Sequence, residues 1–297
     1  MPGSSVTPHQ WATVRAALRD TGDRFAHLLH ANADASTRAT AHWTVAQTAA
    51  HVGSIAWLYR ALIAAEPLTP PVPGFGELAR SLTVETIYQV NDLLLAHFTE
   101  RAPDALGTGL RADIAHILTI TDGRDPATPV AWLGGARIPV AGLLAHLLNE
   151  ILIHGWDIAR AARLRWDLPS DQAALFLDLF VVGMLRESYG RLLDNDEPPR
   201  QRRIAVRIRS PHTRAVTLVL HRGRVTVEDP APDADATVTV DPAVFNLMMF
   251  GRIGKLRAVL SGGVRIHGRR PWVVPTLLRT VRFPNQPSPL SASQHVR

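Results

Sequence analysis

Four polar side chains follow one line along an otherwise apolar stretch, HLLNEILIHGWDIA, at residues 146–159. His146, Glu150 and His154 are spaced four residues apart, and Asp157 follows three residues later. At about 100° per residue on a helix, the four side chains fall within a sector of about 80°. Leucine and isoleucine side chains flank this sector on both sides. The pattern predicts a polar line on a helix face that packs into an apolar core.

A carboxylate in such a place must find a partner, because burying it alone costs several kcal/mol. Three arrangements would satisfy Glu150: a pair with a protonated His146 or His154, a hydrogen bond from an arginine on another helix, or a divalent metal. A spacing of four residues lets Glu150 and His154 reach one ion. A catalytic metal site usually takes three protein ligands and an open position, so a third ligand must come from another element.

His51 is the candidate for this third ligand. It lies in the middle of TAAHVGSIAW, residues 48–57, which is apolar nearly all round and predicts an inner helix. Its alternative role is that of a neutral core imidazole bonded to a carbonyl group. The other histidines lie near helix ends, on mixed faces or in the second half of the chain, or they lack acidic partners at helical spacing.

The spacing of apolar residues along the chain changes near residue 195. Before it, apolar residues recur every three or four positions, which predicts helices over residues 8–31, 43–65, 84–102, 139–163 and 170–193. Thr44 and Gln47 stand at capping-box spacing, and Ser170 is expected to cap the last helix. Residues 121–139 are expected to form a loop or short strand. Long helices with short connections predict an antiparallel bundle over residues 8–194.

The second half of the chain alternates in period two and is rich in Val, Ile and Thr, which predicts strands. A helix capped by Asp241 is expected between two of them, with a closing helix after residue 270. We therefore predict a small α+β domain over residues 200–285 and a disordered tail over residues 286–297.

The composition narrows the class of protein. The chain has no cysteine, which excludes disulfides, zinc–thiolate sites and a cysteine nucleophile, so thiol chemistry would need an external thiol. The net charge is +6, but no basic cluster is interleaved with aromatic residues, so we expect no nucleic-acid partner. No apolar run approaches the roughly 20 residues of a membrane span, and no secretory signal is visible. We expect a cytoplasmic protein without a membrane partner, as a monomer or homodimer.

Two motifs carry a family resemblance. WTVAQTAAHVG (43–53) and HLLNEILIHGWDIARA (146–161) together resemble the DinB-like metal-binding domain of mycothiol-dependent maleylpyruvate isomerase proteins. The resemblance implies a four-helix bundle that binds a divalent ion, usually Zn2+, through His51, Glu150 and His154. It also implies that Asp157 occupies a recurrent acidic position after the last ligand.

The second half resembles a sterol-carrier-protein-like domain through DADATVTVDPAVFNLMMFGRI (233–253) and AVLSGGVRIHGRRPWV (258–273). The expected fold class is thus α plus α/β in two domains, an N-terminal DinB-like four-helix bundle followed by a small C-terminal α+β domain.

The resemblance implies zinc- and mycothiol-dependent chemistry on a small-molecule electrophile, by an isomerase or a thiol transferase. Mycothiol is the low-molecular-weight thiol of actinobacteria, and zinc would lower the pKa of its sulfur. Asp157 and His146 would orient ligands or shuttle protons. Arg265, and likewise Arg252, would bind substrate acids if the second domain closes over the metal.

Two other interpretations stay open from the sequence. One is a non-enzymatic lipid or small-ligand binding protein with a structural metal. The other is a bundle that keeps its ligands but has lost its chemistry.

Overall fold

The computed structural model describes residues 6–31, 34–195, 199 and 201–284. Its helices are α1 Pro8–His30, α2 Val45–Ala64, α3 Phe75–Ser81, α4 Ile87–His97, α5 Pro103–Ile120, α6 Val140–Ala162, α7 Ser170–Leu175, α8 Gly183–Glu187, α9 Pro242–Met249, α10 Lys255–Leu260 and α11 Val274–Thr280. Its strands are β1 Pro129–Ala131, β2 Arg137–Pro139, β3 Ile204–Ser210, β4 Thr213–His221, β5 Arg224–Glu228, β6 Ala236–Val240 and β7 Val264–His267. A π-helical segment, Phe176–Val182, joins α7 to α8.

Four long helices form the bundle, because α1 and α2 each pack against both α5 and α6. A third helix is predicted over residues 84–102 and none over residues 103–120. The first prediction is confirmed only for Ile87–His97, and the second is wrong. The third bundle helix is α5, and α4 is a shorter helix that packs beside α2. Gly107 explains why helix α5 was not predicted, because glycine weakens helix propensity. In the structure this glycine allows close packing, since a Cβ at this position would lie 3.2 Å from the Ala26 Cα of α1.

The start of α2 is the one that the sequence predicts. Thr44 N donates to Gln47 Oε1 at 2.9 Å, and Gln47 N donates to Thr44 Oγ1 at 3.3 Å, which completes the capping box. Ser170, in contrast, does not cap α7. Pro169 holds the capping position, and the Ser170 hydroxyl donates to Asp241 Oδ2 at 2.7 Å instead.

The second half contains a five-stranded sheet in the order β5-β4-β3-β6-β7. The β3–β6 pair is parallel and the other pairs are antiparallel. Asp241 caps α9 as predicted, since its Oδ1 accepts from Val244 N at 3.0 Å. The closing helix is α11, whereas α10 was not predicted. The predicted fold class, a helical half followed by a sheet-containing half, is confirmed.

The two halves meet along α6 and its neighbours. Besides the contact of Ser170 with Asp241, Asn246 of α9 bonds to Asn149 of α6, and Arg252 bonds to Asp157. No helix in the described part of the chain is long and apolar enough to cross a bilayer. The predicted tail, residues 286–297, lies outside the described residues.

Candidate metal centre and active site

His51 on α2 and Glu150 and His154 on α6 converge on the wall of one cavity. His51 Nε2 and His154 Nε2 each lie 3.4 Å from Glu150 Oε2. One potential ligand atom from each residue lies within 4.8 Å of the other two. The side chains are 5, 12 and 9% exposed in chain order, so the cluster is largely shielded from solvent. Two imidazoles and a carboxylate are a ligand set found in catalytic metal sites that keep an open position.

His51 is in the form that a metal requires. Burial lowers its pKa, so the ring is neutral near pH 7 and offers a lone pair. Trp43 covers the ring with a centroid distance of 4.6 Å. The second ring nitrogen, Nδ1, has no hydrogen-bond partner among the described residues, although it is buried. The nitrogen directed at the cluster is Nε2, 3.4 Å from Glu150 Oε2, and a neutral imidazole beside a carboxylate and a second imidazole fits a metal ligand.

His154 is oriented by Asp157. The ring nitrogen Nδ1 lies 3.0 Å from Asp157 Oδ2. Because a carboxylate only accepts, Nδ1 carries the proton and Nε2 faces Glu150. Burial alone would lower the pKa of His154, but the hydrogen bonds to Asp157 and Glu150 outweigh it and raise the pKa. A carboxylate behind a histidine in this way is the usual support of a metal-bound imidazole.

Arg252 holds Asp157 from the second half of the chain. Its Nε lies 3.0 Å from Asp157 Oδ1 and its terminal nitrogen 2.5 Å from Oδ2, a bidentate pair. Burial raises the pKa of Asp157, but the hydrogen bonds from His154 and Arg252 bring it below its ordinary value. Arg265, which the sequence analysis placed at the substrate, lies exposed on β7 and does not line the cavity. The structure therefore brings Arg252 to the centre and leaves Arg265 outside it.

A series of hydrogen bonds between uncharged side chains supports the other oxygen of Glu150. His146 Nε2 lies 3.5 Å from Glu150 Oε1, and His146 Nδ1 lies 3.0 Å from the Tyr59 hydroxyl. The indole of Trp132 donates to the Tyr59 oxygen at 3.1 Å. Since an indole N–H only donates, the Tyr59 hydroxyl directs its own proton to His146 Nδ1. His146 then carries its proton on Nε2, which faces Glu150.

These contacts keep Glu150 ionised. Burial raises its pKa, but the hydrogen bonds from His154 and His51, together with the nearby His146, outweigh this and place the pKa well below its ordinary value. The centre thus presents a fixed carboxylate between two imidazoles.

The cavity has a volume of about 540 Å3, which is enough for a small molecule. Its wall combines the polar centre with many aromatic and aliphatic side chains from both halves of the protein. Tyr59 and Trp132 also line this wall and were not predicted from the sequence. Tyr59 follows His51 by eight residues on the same helix, which places it on the same face and could have been noticed. Trp132 lies between β1 and β2, where no periodic pattern marks it.

Comparisons with known proteins agree with this description. Residues 14–159 match the family model of the mycothiol maleylpyruvate isomerase N-terminal domain, and residues 196–270 match that of the SCP-2 sterol transfer family. No curated protein sequence matches the chain.

Among the solved structures that are similar are the mycothiol-dependent maleylpyruvate isomerase and a histidine-to-alanine mutant of it. Each has 14% sequence identity and a TM-score of 0.47, and each alignment covers 86% of this chain and 92% of the other. On the two family matches, and not on these structures, residues 14–159 belong to the mycothiol maleylpyruvate isomerase N-terminal domain family and residues 196–270 to the SCP-2 sterol transfer family.

Proposed function

We propose that the chain is a mycothiol-dependent enzyme that holds a divalent metal, zinc by preference, through His51, Glu150 and His154. The observation that carries this proposal is the convergence of these three side chains on the wall of a cavity. The reaction is an isomerisation or a thiol transfer to a small electrophile. The family match of residues 14–159 favours the isomerisation.

Zinc bound at this centre would supply one kind of chemistry: it would lower the pKa of a thiol at its open position. The chain has no cysteine of its own, so the thiol is a co-substrate. In an isomerisation, the thiolate adds to an alkene carbon, the former double bond rotates, and elimination restores the alkene and the thiol. In a transfer, the adduct takes up a proton and leaves as a conjugate.

The chain's own groups orient this centre and shield it. Asp157, held by Arg252, fixes the His154 ring with Nε2 directed toward Glu150. His146, held by Tyr59, steadies the second oxygen of Glu150. We therefore assign positioning roles to Asp157 and His146, and no role at the centre to Arg265. The apolar part of the wall excludes water from the reacting groups.

A second candidate is a carrier of an apolar ligand with a structural metal. The match of residues 196–270 to the SCP-2 sterol transfer family supports it, together with a cavity to which both halves contribute side chains. Under either proposal, we take residues 8–194 and 200–285 as the two domains. Mycothiol-dependent turnover of an electrophile separates the candidates, since a carrier would bind without turnover.

The first test is metal content by mass spectrometry on tag-free protein. We expect about one zinc per chain in the wild type, no stoichiometric metal in His154→Ala, and wild-type content in His97→Ala. His97 is an exposed histidine of α4 and serves as the matched control. A wild-type chain that stays metal-free after incubation with zinc would contradict the proposal. Mycothiol-dependent turnover is then assayed on the same preparations.

A further inference from the structure

The second half of the chain carries an exposed apolar surface. Among the described residues, six large hydrophobic side chains are exposed, and five of them belong to residues 256–272. Single exposed apolar side chains are ordinary on a protein surface, but their concentration in one place marks an interaction site. We name this set the apolar ridge, and its members are Leu256, Val259, Leu260, Ile266 and Trp272.

The leucines of the ridge project outward because of the way α10 is attached. Leu256 and Leu260 stand four residues apart, so they share one face of the helix, and they are 72 and 77% exposed. Ala258 lies on the opposite face and is fully buried. Helix α10 therefore packs onto the domain through a small residue and presents its large ones to the outside.

The rest of the ridge lies at the same end of the sheet. Ile266 is on β7, which is the edge strand and packs against α10. Trp272 follows β7 in a short 3-10 turn that packs against β6, the neighbour of β7, and it is 68% exposed. None of the five ridge residues lines the cavity, so this surface is separate from the metal centre.

The charges around the ridge are positive. No aspartate or glutamate occurs after Asp241, whereas nine arginine or lysine residues do. Arg270 is engaged by Asp235. The exposed cations without an ion pair in the described part of the chain include Lys255, Arg257 and Arg265. A partner must therefore combine apolar groups with negative charge.

A second copy of the chain does not meet this requirement. A symmetric contact between two ridges would place cations against cations. Pairing through the open edge of β7 is also disfavoured, because this strand is only four residues long and carries Arg265 and His267. Short, charged edge strands are a common means of preventing strand addition.

The surface of an anionic bilayer does meet it. Leucine side chains that project from a surface can enter the boundary between headgroups and acyl chains. Tryptophan is favoured at the level of the headgroups, and lysine and arginine contact the anionic lipids. A partner helix, in contrast, would be bound in an apolar groove, whereas these side chains protrude.

We propose that the apolar ridge docks this protein on the surface of an anionic lipid bilayer. Leu256, Leu260 and Trp272 enter the interface, and the unpaired cations around them contact the headgroups. This peripheral contact needs no spanning helix, and it replaces the expectation of a protein without a membrane partner. The proposal rests on this surface alone and not on the metal or the reaction.

Docking in this way would bring the cavity close to the lipid. Arg252 lines the cavity, and α10 begins only three residues later, at Lys255. Three residues span at most about 11 Å. The docked protein would therefore hold its cavity near the bilayer surface.

The test uses the full chain and vesicles of phosphatidylcholine, with or without the anionic lipid phosphatidylglycerol. Flotation through a density gradient measures the bound fraction. At low ionic strength we expect binding to the anionic vesicles, and at most about one tenth of that affinity for the neutral ones. Circular dichroism confirms that each variant described below is folded.

The apolar contribution is tested by shortening both leucines. Leu256→Ala combined with Leu260→Ala should weaken binding to anionic vesicles by at least about tenfold. Leu164→Ala is the matched control with wild-type binding, because Leu164 is exposed but lies outside the ridge. Insertion is measured by quenching of tryptophan fluorescence with brominated lipid, which we expect in the wild type and not in Trp272→Phe.

The charge contribution is tested by two pairs of substitutions that alter the net charge equally. Lys255→Glu with Arg257→Glu should weaken binding at least about tenfold, because these cations adjoin the leucines. Arg209→Glu with Arg224→Glu changes exposed residues of β3 and β5. This control pair should weaken binding by less than about twofold, since its cations do not adjoin the ridge.

Absence of binding to anionic vesicles would overturn the proposal. Equal losses in the two pairs of charge variants would do the same, because net charge alone would then explain the binding. Binding without quenching of Trp272 would assign the surface to a soluble acidic partner instead. A dimer in sedimentation velocity that the leucine variant dissociates would show that a second copy covers the ridge, and would also overturn it.

Discussion

The two histidines that flank Glu150 occupy equivalent places in the sequence and opposite electrostatic environments. His146 and His154 are each four residues from Glu150 on α6, and both are largely buried. Burial lowers the pKa of His146, whereas the pKa of His154 is raised because its hydrogen bonds to Asp157 and Glu150 outweigh burial. Equal spacing on a helix therefore does not determine chemical role.

The difference comes from the partners on the far side of each ring. Behind His154 stands a carboxylate that is tied to an arginine of the second half of the chain. Behind His146 stands the phenol of Tyr59, whose own pKa is raised well above its ordinary value by burial, so that it stays neutral. A charged partner suits a metal ligand, and a neutral partner suits a residue that only positions one.

The sharpest test of this contrast removes each ring in turn. We expect His154→Ala to weaken zinc binding by more than about 100-fold, because this variant lacks a metal ligand. The loss of a ligand lowers the affinity more than the loss of a residue that supports a ligand. His146→Ala should change the zinc affinity by less than about tenfold, since Glu150 keeps its contacts to the other two histidines. Competition with a chromophoric chelator measures both constants. Equal losses in the two variants would refute the division of roles.

The next test exchanges the groups behind the rings. Asp157→Asn should lower zinc affinity about 10- to 100-fold, because the carboxylate that orients His154 and raises its basicity is lost. Tyr59→Phe, which removes the hydroxyl that contacts His146, should lower the zinc affinity by only a fewfold. The same chelator competition applies, with circular dichroism to confirm that both variants are folded. A larger loss in Tyr59→Phe than in Asp157→Asn would reverse the comparison.

A third test concerns stability and the contact between the two halves. Arg252→Met leaves the buried Asp157 without its bidentate partner and should lower the free energy of unfolding by about 2 kcal/mol. The expected loss is smaller than for a fully buried ion pair because Arg252 is partly exposed. Arg203→Met breaks an exposed pair with Glu228 and should cost less than about 1 kcal/mol. Urea denaturation of metal-free protein compares them. Equal costs would show that Arg252 contributes no more than a surface pair.

The smallest expected effect is a difference in titration. In metal-free protein, His154 should keep its proton above its ordinary pKa of 6.5, and His146 should lose its proton below it. The stability contributed by protonated His154 is thus complete below pH 6.5 and declines as the pH rises through the raised pKa. His146 acts oppositely, since its lowered pKa makes protonation oppose folding as the pH falls. Nitrogen-15 NMR of the two rings gives the pKa of each histidine. A higher pKa for His146 than for His154 would contradict the assigned environments.

Proximity could be predicted from the sequence where spacing along one element determines it. Glu150 and His154 lie together because both are on one helix. His51 was the candidate third member because it lies on an apolar inner helix, and the resemblance then implied the same residue. Proximity that depends on how elements pack could not be predicted in this way. Helix α5 was missed because its glycines lower helix propensity, although Gly107 is needed for close contact with Ala26. Ser170 was taken as a cap, yet its hydroxyl is committed to Asp241 of the second half.

The same distinction separates Arg265 from Arg252. Both lie in the second half, and no local pattern tells which one reaches α6. The choice depends on the path of the chain after α9, which directs Arg252 to Asp157 and leaves Arg265 on the exposed side of β7. Asn149 is a similar case, because the orientation of its amide is recognisable only once the contacts of Asn246 with Asn149 and Ala173 are seen.

By itself, then, the sequence determined the helical and sheet-containing halves, the polar line on α6 and the absence of an internal thiol. These follow from periodicity, helical spacing and composition, which are local properties. The tertiary structure alone decided which imidazole has a charged partner, which arginine reaches the centre, and what kind of wall surrounds it. Those properties depend on contacts between residues about 90 positions apart, as in Arg252 with Asp157 and Tyr59 with His146. Distances of that kind are set by packing and not by neighbours along the chain.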